Sequence, residues 1–363
     1  MKLTSQMIKD YAKQIGIDDI GICPIDRFSE APPLMNPKNI FPEAKSVIVV
    51  LQRITRGSYR GIEEGTCWSN YTFYSYGRLN SYFRPRLTYR LACFIEDFGW
   101  EAAPHYPGVS ERQPYMEPVE PGRLPPNVVP SIRYLAVGAG LGEIGWSKVF
   151  LSKKFGPRCR MDCILTDAEL EYDEMVEPGS ICIKCGACVR ECPGQAIPPV
   201  NSGKTVSVNI GGKKIEFGDV HMGRCTFTHH GLNSRISPFL KKDFPNFEFD
   251  VCSSDATEVE AYKLCCALRN HNWFKTPFMP TGKSVAQYPH VMRISGGYHA
   301  ICGARGCIRA CMNVLEKANK IENVFDMPFQ HKKPWPMMDY KRTEKYGEVN
   351  PWWEDYIKEK GYE

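Results

Sequence analysis

Apolar residues in the first 175 positions of the chain follow two different periods. They recur at helical spacing from Gln6 to Ile15 and again over 79–98, where Gly99 is placed to end a helix. Lys45 to Leu51 is a continuous, largely β-branched run, and Arg160 to Asp167 is a second run of strand length. Helices that alternate with strands predict an α/β domain over residues 1–175.

The pattern changes after residue 175, where a second module over 176–330 is predicted. Val206 to Phe217 reads as a β-hairpin with Gly211 and Gly212 at its turn. Residues 226–300 are expected to form a long insertion in this module. The tail 331–363 is rich in Trp, Tyr, Pro and Lys without a clear period, and we expect it to wrap around the rest of the chain.

Four cysteines in this second module carry the clearest chemical signal. Cys182, Cys185, Cys188 and Cys192 stand in the order C-x2-C-x2-C-x3-C-P, the ligand run of bacterial ferredoxins that hold two 4Fe–4S clusters. A disulfide or a zinc knuckle is the alternative, and the spacing suits tetrahedral zinc poorly. In this pattern the fourth cysteine ligates the other cluster, so a second cysteine group is predicted elsewhere.

That second group is predicted near the C-terminal third of the chain. Cys302, Cys307 and Cys311 follow a C-x4-C-x3-C pattern, and Cys225, in a short Gly-containing turn, is the candidate fourth ligand. With the crossed ligation of two-cluster ferredoxins, the expected sets are Cys182, Cys185, Cys188 and Cys311 for one cluster, and Cys192, Cys225, Cys302 and Cys307 for the other.

Eight cysteines remain outside these two sets. Cys252, Cys265 and Cys266 compete as ligands, but the residues before Cys265 look helical, and we interpret Cys265 and Cys266 as small buried hydrophobic residues. The same interpretation is given to the cysteines that precede the cluster region, which are Cys23, Cys67, Cys93, Cys159 and Cys163.

Composition narrows the function classes. The 363 residues are 43% hydrophobic and 24% charged, as in ordinary globular proteins. A net charge of +5 without a basic tract indicates no nucleic-acid partner and is compatible with an anionic small molecule or an acidic electron donor. The N-terminus has no signal core or twin arginine and no run reaches the length of a membrane span, so a cytoplasmic protein is expected. Sixteen cysteines in such a chain favour metal or redox chemistry.

A glycine-rich segment over 137–145 precedes an apolar stretch that is compatible with a helix. Gly140, Gly142 and Gly145 match G-x-G-x-x-G, but no convincing strand comes directly before them, so a dinucleotide site is weakly supported. Close backbone packing is a second interpretation. We favour a third, in which backbone amides around Gly140, Leu141, Gly142 and Gly145 contact a large cofactor.

The motifs in combination resemble the family of epoxyqueuosine reductases and reductive dehalogenases. The resemblance is carried by Ala-Gly-Leu-Gly-Glu-Ile-Gly (139–145), Phe-Gly-Pro-Arg (155–158), Leu-Thr-Asp (165–167), the first cysteine run, Gly-Arg-Cys (223–225) and a Tyr/Arg-containing segment over 75–82. It implies a nitroreductase-like α/β domain that binds a corrinoid, fused to a module with two 4Fe–4S clusters. Such proteins reduce cobalamin to Co(I), which removes a halogen or an epoxide oxygen.

The resemblance also implies where the corrinoid lies. In two features, however, this chain differs from the family. The backbone of Gly140 to Gly142 is expected to contact the corrinoid, beside the cluster of Cys192. Epoxyqueuosine reductases carry an acidic residue upstream of this segment, whereas 129–135 reads Val-Pro-Ser-Ile-Arg-Tyr-Leu without a carboxylate. Respiratory dehalogenases carry a twin-arginine signal, and the chain has none. Neither a queuosine nor a respiratory role is therefore favoured.

Reductive removal of a leaving group also needs a proton donor. A Tyr beside a cation fits this role because the positive field lowers the phenol pKa. The candidates are Tyr134 beside Arg133, and Tyr76 beside Arg78. The eight histidines, including His229 and His230, show no metal-binding spacing and are expected on the surface or behind the ligands.

Three functions follow from this reading. The first is a cobalamin-dependent iron–sulfur oxidoreductase that takes electrons from ferredoxin or flavodoxin and reduces a small molecule. The second is an electron-transfer protein that feeds or reactivates a separate corrinoid enzyme and has no substrate of its own. The third has a flavin in place of the corrinoid.

Overall fold

The computed structural model describes residues 2–67, 69–105, 117–126, 128–233, 235–236, 249–268 and 302–330. The strands are β1 (Asp19–Pro24), β2 (Ser46–Arg53), β3 (Ala102–His105), β4 (Gly142–Ile144), β5 (Phe150–Ser152), β6 (Cys159–Thr166), β7 (Thr205–Ile210) and β8 (Lys213–Gly218). The α-helices are α1 (Ser5–Gln14), α2 (Arg60–Glu64), α3 (Ser69–Thr72), α4 (Arg84–Glu96), α5 (Ile132–Gly138), α6 (Ala187–Arg190), α7 (Met222–His229), α8 (Glu258–Leu268), α9 (Cys302–Arg305) and α10 (Cys307–Lys317).

The N-terminal part is built on a four-stranded sheet in the order β1-β2-β6-β3. The expected mixture of helices and strands is confirmed, and every strand pair of this sheet is antiparallel. The segment between β1 and β2 contains only short 3-10 turns, not a crossover helix of the kind that parallel neighbours require. The sheet is therefore an α+β arrangement rather than a doubly wound one.

The predicted central strand is buried on both sides. Alternate residues of a strand point to opposite faces, and Val47 and Val49 of β2 join one apolar core while Ile48 and Val50 join the other. The first core contains α5 and the β4-β5 hairpin, and the second contains α1 and α4. The sheet is thus covered on both faces, which explains the continuous apolar run.

The predicted helix over 79–98 has a more complex form. Two π-helical segments, Phe73–Gly77 and Leu79–Phe83, lead into α4. Pro85 has no backbone N–H to donate to the preceding turn, so regular α-helical bonding begins around it. The predicted end at Gly99 is confirmed, because that residue has a left-handed φ of +83°.

The glycine-rich segment lies in a different context from the predicted one. A helix, α5, comes directly before it, and the expected helix after it is instead the β4-β5 hairpin. Apolar residues in a stretch this short carry no period that distinguishes a helix from a strand.

The second module contains the predicted hairpin and part of the predicted insertion. Strands β7 and β8 pair as expected, with Gly211 and Gly212 both at positive φ in the turn. Cys225 lies within helix α7, not in the predicted turn, and the predicted helix before Cys265 is α8. The remainder of the insertion, 237–248 and 269–301, and the tail 331–363 lie outside the described residues. Among the described helices, none is long and apolar enough to cross a membrane.

Buried ion pairs fasten α10 to the N-terminal part. The guanidinium of Arg309 donates to both carboxylate oxygens of Glu63 on α2 at 2.9 Å, and the two side chains are 1% and 0% exposed. Two turns further along, Glu316 lies 3.7 Å from Arg158, a buried side chain that also donates to the carbonyl oxygen of Ile54. The chain segment that carries the last predicted ligands is therefore held by charge as well as by apolar packing.

Replacing Arg309 by Met should destabilise the protein strongly. The variant removes the 2.9 Å contacts of the buried Glu63 carboxylate, whose ion pair with Arg305 is longer, at 3.8 Å. Removing one partner of a buried pair costs about 3–5 kcal/mol of unfolding free energy. Urea denaturation of Arg309→Met measures the loss. The control is Lys45→Gln in the exposed Lys45–Glu169 pair, where no measurable change is expected; equal urea midpoints for the two variants would contradict the assignment.

Candidate functional site

A cavity of about 690 Å³ lies between the sheet and the cysteine-bearing segments. One side of its wall is formed by Gly77 and Ser81 of the π-helical region and by Arg160 and Met161 of β6. The hairpin contributes its turn and Phe150, the first residue of β5. A cavity of this size falls within the range of small-molecule and cofactor sites.

Four of the predicted ligands stand together in this wall: Cys192, Cys225, Cys302 and Cys307. Burial, together with the nearby thiol of Cys192, raises the pKa of Cys225 to about 11. The pKa values of Cys302 and Cys307 are also raised, by burial first and then by the other thiols of this set. The four side chains thus share one low-dielectric environment.

The other four predicted ligands line a separate hollow on the far side of the cysteine segments. Cys182, Cys185, Cys188 and Cys311 surround it together with Trp146. Burial raises the pKa of Cys188 to about 11, followed by the effects of Cys182 and Cys185. Cys185 is exposed, so this hollow reaches the protein surface.

Two C-x3-C pairs each contribute one cysteine to each site. Cys307 and Cys311 are four residues apart on α10, yet Cys307 faces the cavity and Cys311 faces the hollow. Cys188 and Cys192 have the same separation at α6 and also divide between the two sites. Each C-x3-C pair therefore joins both sites, as the crossed pattern predicts.

Each thiol set supplies the four sulfur donors that one 4Fe–4S cubane takes. Across the described ranges, no three His, Cys, Asp or Glu side chains converge closely enough to hold one metal ion. A 4Fe–4S cubane needs a wider arrangement, because each of its four irons takes one thiolate. Backbone N–H groups of Trp146 and Ala196 already donate to the sulfurs of Cys182 and Cys192 at 3.4 Å. The number and type of donors suit one cubane in each site.

Cationic side chains surround the cavity. Arg84, Arg133, Lys148 and Arg160 line it, against the single carboxylate of Glu258 among the described lining residues. Arg133 and Lys148 lower the pKa of Cys225 and so partly oppose the effect of burial. Beneath Arg84, burial raises the pKa of Asp162 to about 6. The positive charges offset the negative charge that a thiolate-ligated cluster brings.

The predicted cofactor-binding glycines have another role in the structure. A Cβ on Gly140 or Gly142 would collide with the carbonyl oxygen of Glu174 or Leu151, and Leu141 is buried in the first core. None of these three is among the described residues that line the cavity. Gly145 lies beside the hollow, where a Cβ would stand 3.6 Å from the sulfur of Cys182. The observed packing accounts for the glycines through close contact between protein segments.

Glu143, within the same segment, is a site residue that sequence reasoning missed. Its buried carboxylate accepts the backbone N–H groups of Gly179, Ile181 and Cys182, with the Ile181 bond at 2.8 Å. It therefore shapes the loop that presents Cys182. The only sequence signal was a single acidic residue inside an apolar, glycine-rich stretch.

The predicted catalytic residues lie in different environments. Arg133 lines the cavity and donates to the carbonyl oxygen of Lys148 at 2.7 Å. Tyr134 packs against the first core and is not among the described lining residues, so the geometry favours Arg133 of this pair. Tyr76 is on a π-helical segment beside the lining residue Gly77, and its side chain lies outside the described part of the structure.

Most of the remaining cysteines were predicted to be small buried residues, and only some of them are buried. Cys23, Cys159, Cys163 and Cys265 are buried, whereas Cys67, Cys93 and Cys252 are half-buried. Cys159 also lines the cavity, and burial raises its pKa to about 12. The side chain of Cys266 lies outside the described residues. Cys252 contacts the carbonyl oxygen of Pro193 at 3.5 Å and is not among the lining residues of either site.

Comparison with known proteins places this geometry in context. The tetrachloroethene reductive dehalogenase of Desulfitobacterium hafniense is 34% identical over 115 residues, which are 31% of this chain and 17% of that protein. A catabolic reductive dehalogenase with 3-bromo-4-hydroxybenzoic acid has 16% identity and a TM-score of 0.44, covering 93% of this chain and 42% of the other. An epoxyqueuosine reductase with a tRNA stem loop has 17% identity and a TM-score of 0.38, covering 62% and 56%.

The curated proteins that this chain matches are tetrachloroethene reductive dehalogenases, and the similar solved structures are reductive dehalogenases and epoxyqueuosine reductases. The resemblance predicted from the motifs is confirmed. The matched part of the chain spans less than a fifth of the length of the curated dehalogenases. No protein-family model matches.

Replacing Glu143 by Gln should loosen the loop that presents Cys182. The amide has one acceptor oxygen instead of two and turns an N–H donor toward backbone donors. Hydrogen bonds to a charged group contribute about 1.5–3 kcal/mol each, so we expect a loss of about 2–4 kcal/mol in urea denaturation. Glu177→Gln, at a side chain that is 78% exposed, is the control and should show no measurable change. A Glu143→Gln protein as stable as this control would contradict the role.

Proposed function

We propose that this protein is an iron–sulfur oxidoreductase that passes low-potential electrons through two 4Fe–4S clusters to a corrinoid, which reduces a small molecule. One observation carries the proposal. The eight predicted cysteines separate into two sets of four, and one set lines a cavity of cofactor size. Reductive removal of a halogen or of an oxygen is the reaction type that the relatives favour.

The positions of the two thiol sets support a direction for electron supply. The set of Cys182, Cys185, Cys188 and Cys311 reaches the surface at Cys185. A cluster there would accept single electrons from an external carrier, for which ferredoxin or flavodoxin is proposed. The set that contains Cys192 lies in the wall of the cavity, so its cluster would supply electrons at the cavity itself.

Residues that line the cavity would contact a bound corrinoid. Val149, Phe150 and Met161 supply apolar surface for a flat ring, and Arg133 and Arg160 supply donors for its polar side groups. A bound corrinoid would contribute a low-valent cobalt centre. Its proposed contacts are these cavity residues in place of the predicted backbone of Gly140 to Gly142.

A small molecule is the proposed substrate, rather than a nucleic acid. One epoxyqueuosine reductase was solved with a tRNA stem loop, so tRNA is the alternative to test. The curated relatives are named for tetrachloroethene, a small chlorinated molecule. The chain also lacks a basic tract, and 129–135 lacks a carboxylate. Arg133 is the cavity residue best placed to orient a substrate, whereas a proton-donor role for Tyr76 or Tyr134 stays a prediction.

The ligand assignment predicts the iron content of cysteine variants. The anaerobically reconstituted protein should hold about eight Fe per chain, because each cubane contains four. Cys225→Ala should lose one cluster and retain about four Fe per chain, measured by iron quantification and by the electron paramagnetic resonance (EPR) spectrum of the reduced protein. Cys252→Ala is the matched control, since Cys252 lies close to Cys192 in space but lines neither site, and should keep the full iron content. Full iron in Cys225→Ala would remove Cys225 from the ligand set.

Corrinoid retention tests the function itself. Protein reconstituted with hydroxocobalamin and passed through a desalting column should retain one corrinoid per chain, measured by its visible spectrum. Ser81→Trp, which fills part of the cavity, should lose the corrinoid at unchanged iron content, while Ser202→Trp on an exposed loop should retain it. Clusters without corrinoid would exclude the proposal in favour of an electron-transfer protein, and retention of flavin instead would exclude the corrinoid.

A further inference from the structure

His229 lies against a cysteine of the cavity-facing set. Its Nδ1 atom is 3.8 Å from the sulfur of Cys302. The two residues are distant in the chain, and α7 and α9 bring them together. A ring N–H at this distance and a sulfur acceptor form a hydrogen bond of the kind that tunes metal centres from behind their ligands.

The helix that carries His229 also carries a ligand of the same set. Cys225 and His229 are four residues apart on α7, so they lie on one face of the helix, and both line the cavity. One helix face thus presents a thiol to the proposed cluster and an imidazole to a second thiol. The neighbouring ring of His230 stands edge-on to it, with the two ring centroids 5.2 Å apart.

We propose that His229 donates its Nδ1 hydrogen to the sulfur of Cys302 and thereby raises the reduction potential of the cavity-facing cluster. This inference rests on the proposed function, in which Cys302 is a ligand. His229 is a positioning and tuning residue here, because it acts through Cys302 and contacts no reacting atom. In the neutral ring, donation to sulfur selects the tautomer with hydrogen on Nδ1.

The physical reason lies in the charge that reduction adds. One electron converts a 4Fe–4S centre from the 2+ to the 1+ state, with no bond formed or broken and the electron supplied by a low-potential one-electron carrier. The added negative charge is disfavoured at a buried site, and hydrogen bonds to the sulfurs are one of the levers that set cluster potentials. The surface-facing set can obtain such bonds from water at exposed Cys185. At Cys302, the donor found among the described side chains is His229.

Backbone donors are present in both sets. The N–H groups of Trp146 and Ala196 donate to the sulfurs of Cys182 and Cys192 at 3.4 Å. Backbone hydrogen bonds from Val189 and Gly303 also lower the pKa values of Cys188 and Cys302, against the larger effect of burial. The imidazole is therefore an addition to the cavity-facing set. Its hydrogen bond stabilises the reduced state of the cluster that faces the cavity.

Redox titration of His229→Leu, monitored by EPR, tests the proposal. We expect the midpoint potential of one cluster to fall by an amount equivalent to about a tenfold change in its reduction equilibrium, which is about 59 mV for one electron. The other cluster should keep its potential, and the iron content should stay at about eight per chain. His230→Leu, the same change at the neighbouring ring, is the matched control and should leave both potentials unchanged.

If His229→Leu loses iron, its potential cannot be compared with that of the wild type. A second pair of variants then tests the proposal. The amide nitrogen of Asn reaches the place of Nδ1, whereas that of Gln reaches the place of Nε2. The proposal requires His229→Asn to have a cluster potential nearer the wild type than His229→Gln. Equal potentials in these two variants, or an unchanged potential in iron-replete His229→Leu, would overturn it.

Failure of this inference can be told from failure of the proposed function. Wild-type protein with two EPR-active clusters and about eight Fe, together with loss of one cluster in Cys302→Ala, supports the proposed function whatever the histidine variants show. Wild-type protein with about four Fe, or with a second cluster unaffected by Cys302→Ala, would instead remove Cys302 from the ligands and the proposal with it.

Discussion

Helix α10 is the element on which the rest of the structure depends. Its first residue, Cys307, faces the cavity, and Cys311, one turn later, faces the surface hollow. Between them, Nη1 of Arg309 donates to both carboxylate oxygens of Glu63, in a site that water does not reach. The helical turn that carries both thiols is therefore also bound to the N-terminal part of the chain. A shift of this helix would change both sites and the core together.

Buried charge is the main physical problem that this architecture must solve. Both sets contain buried thiols, and burial is the largest cause that raises the pKa values of Cys188, Cys225 and Cys307. Positive side chains around the cavity, backbone N–H groups and the ring of His229 all act in the opposite direction. The proposed electron path and the stability of the fold thus depend on the same set of compensating dipoles and charges.

The resemblance to reductive dehalogenases is informative because of where its motifs lie in the structure. The glycine-rich segment supports the cysteine-bearing segment through Glu143, which holds the loop of Cys182, and Gly145 leaves room for the side chain of Leu151 beside that sulfur. Arg158 of the Phe-Gly-Pro-Arg motif is buried and pairs with Glu316 on α10. These motifs join the two modules, and this joining role differs from direct contact with a cofactor.

Local elements were predictable where a short-range physical rule decides them. The strand over Lys45 to Leu51, the turn at Gly211 and Gly212, and the helix end at Gly99 follow from burial on two faces or from positive φ. The apolar stretch after Gly145 was misread, because hairpin and helix differ there only in what the segment packs against. The residues around Cys225 were predicted as a turn for a similar reason. They form the helix α7, which packs closely against α8, and this contact is not visible in the local sequence.

The sequence by itself predicted iron–sulfur chemistry, because thiolates at C-x2-C-x2-C-x3-C spacing are typical ligands of 4Fe–4S clusters. It also predicted that the fourth cysteine of this run serves a different site from the first three. Only the tertiary structure decided that the second set lines a cavity, that Arg133 and not Tyr134 faces it, and that His229 contacts Cys302. Those facts depend on how distant segments pack, and packing depends on contacts between residues far apart in the chain that no local pattern records.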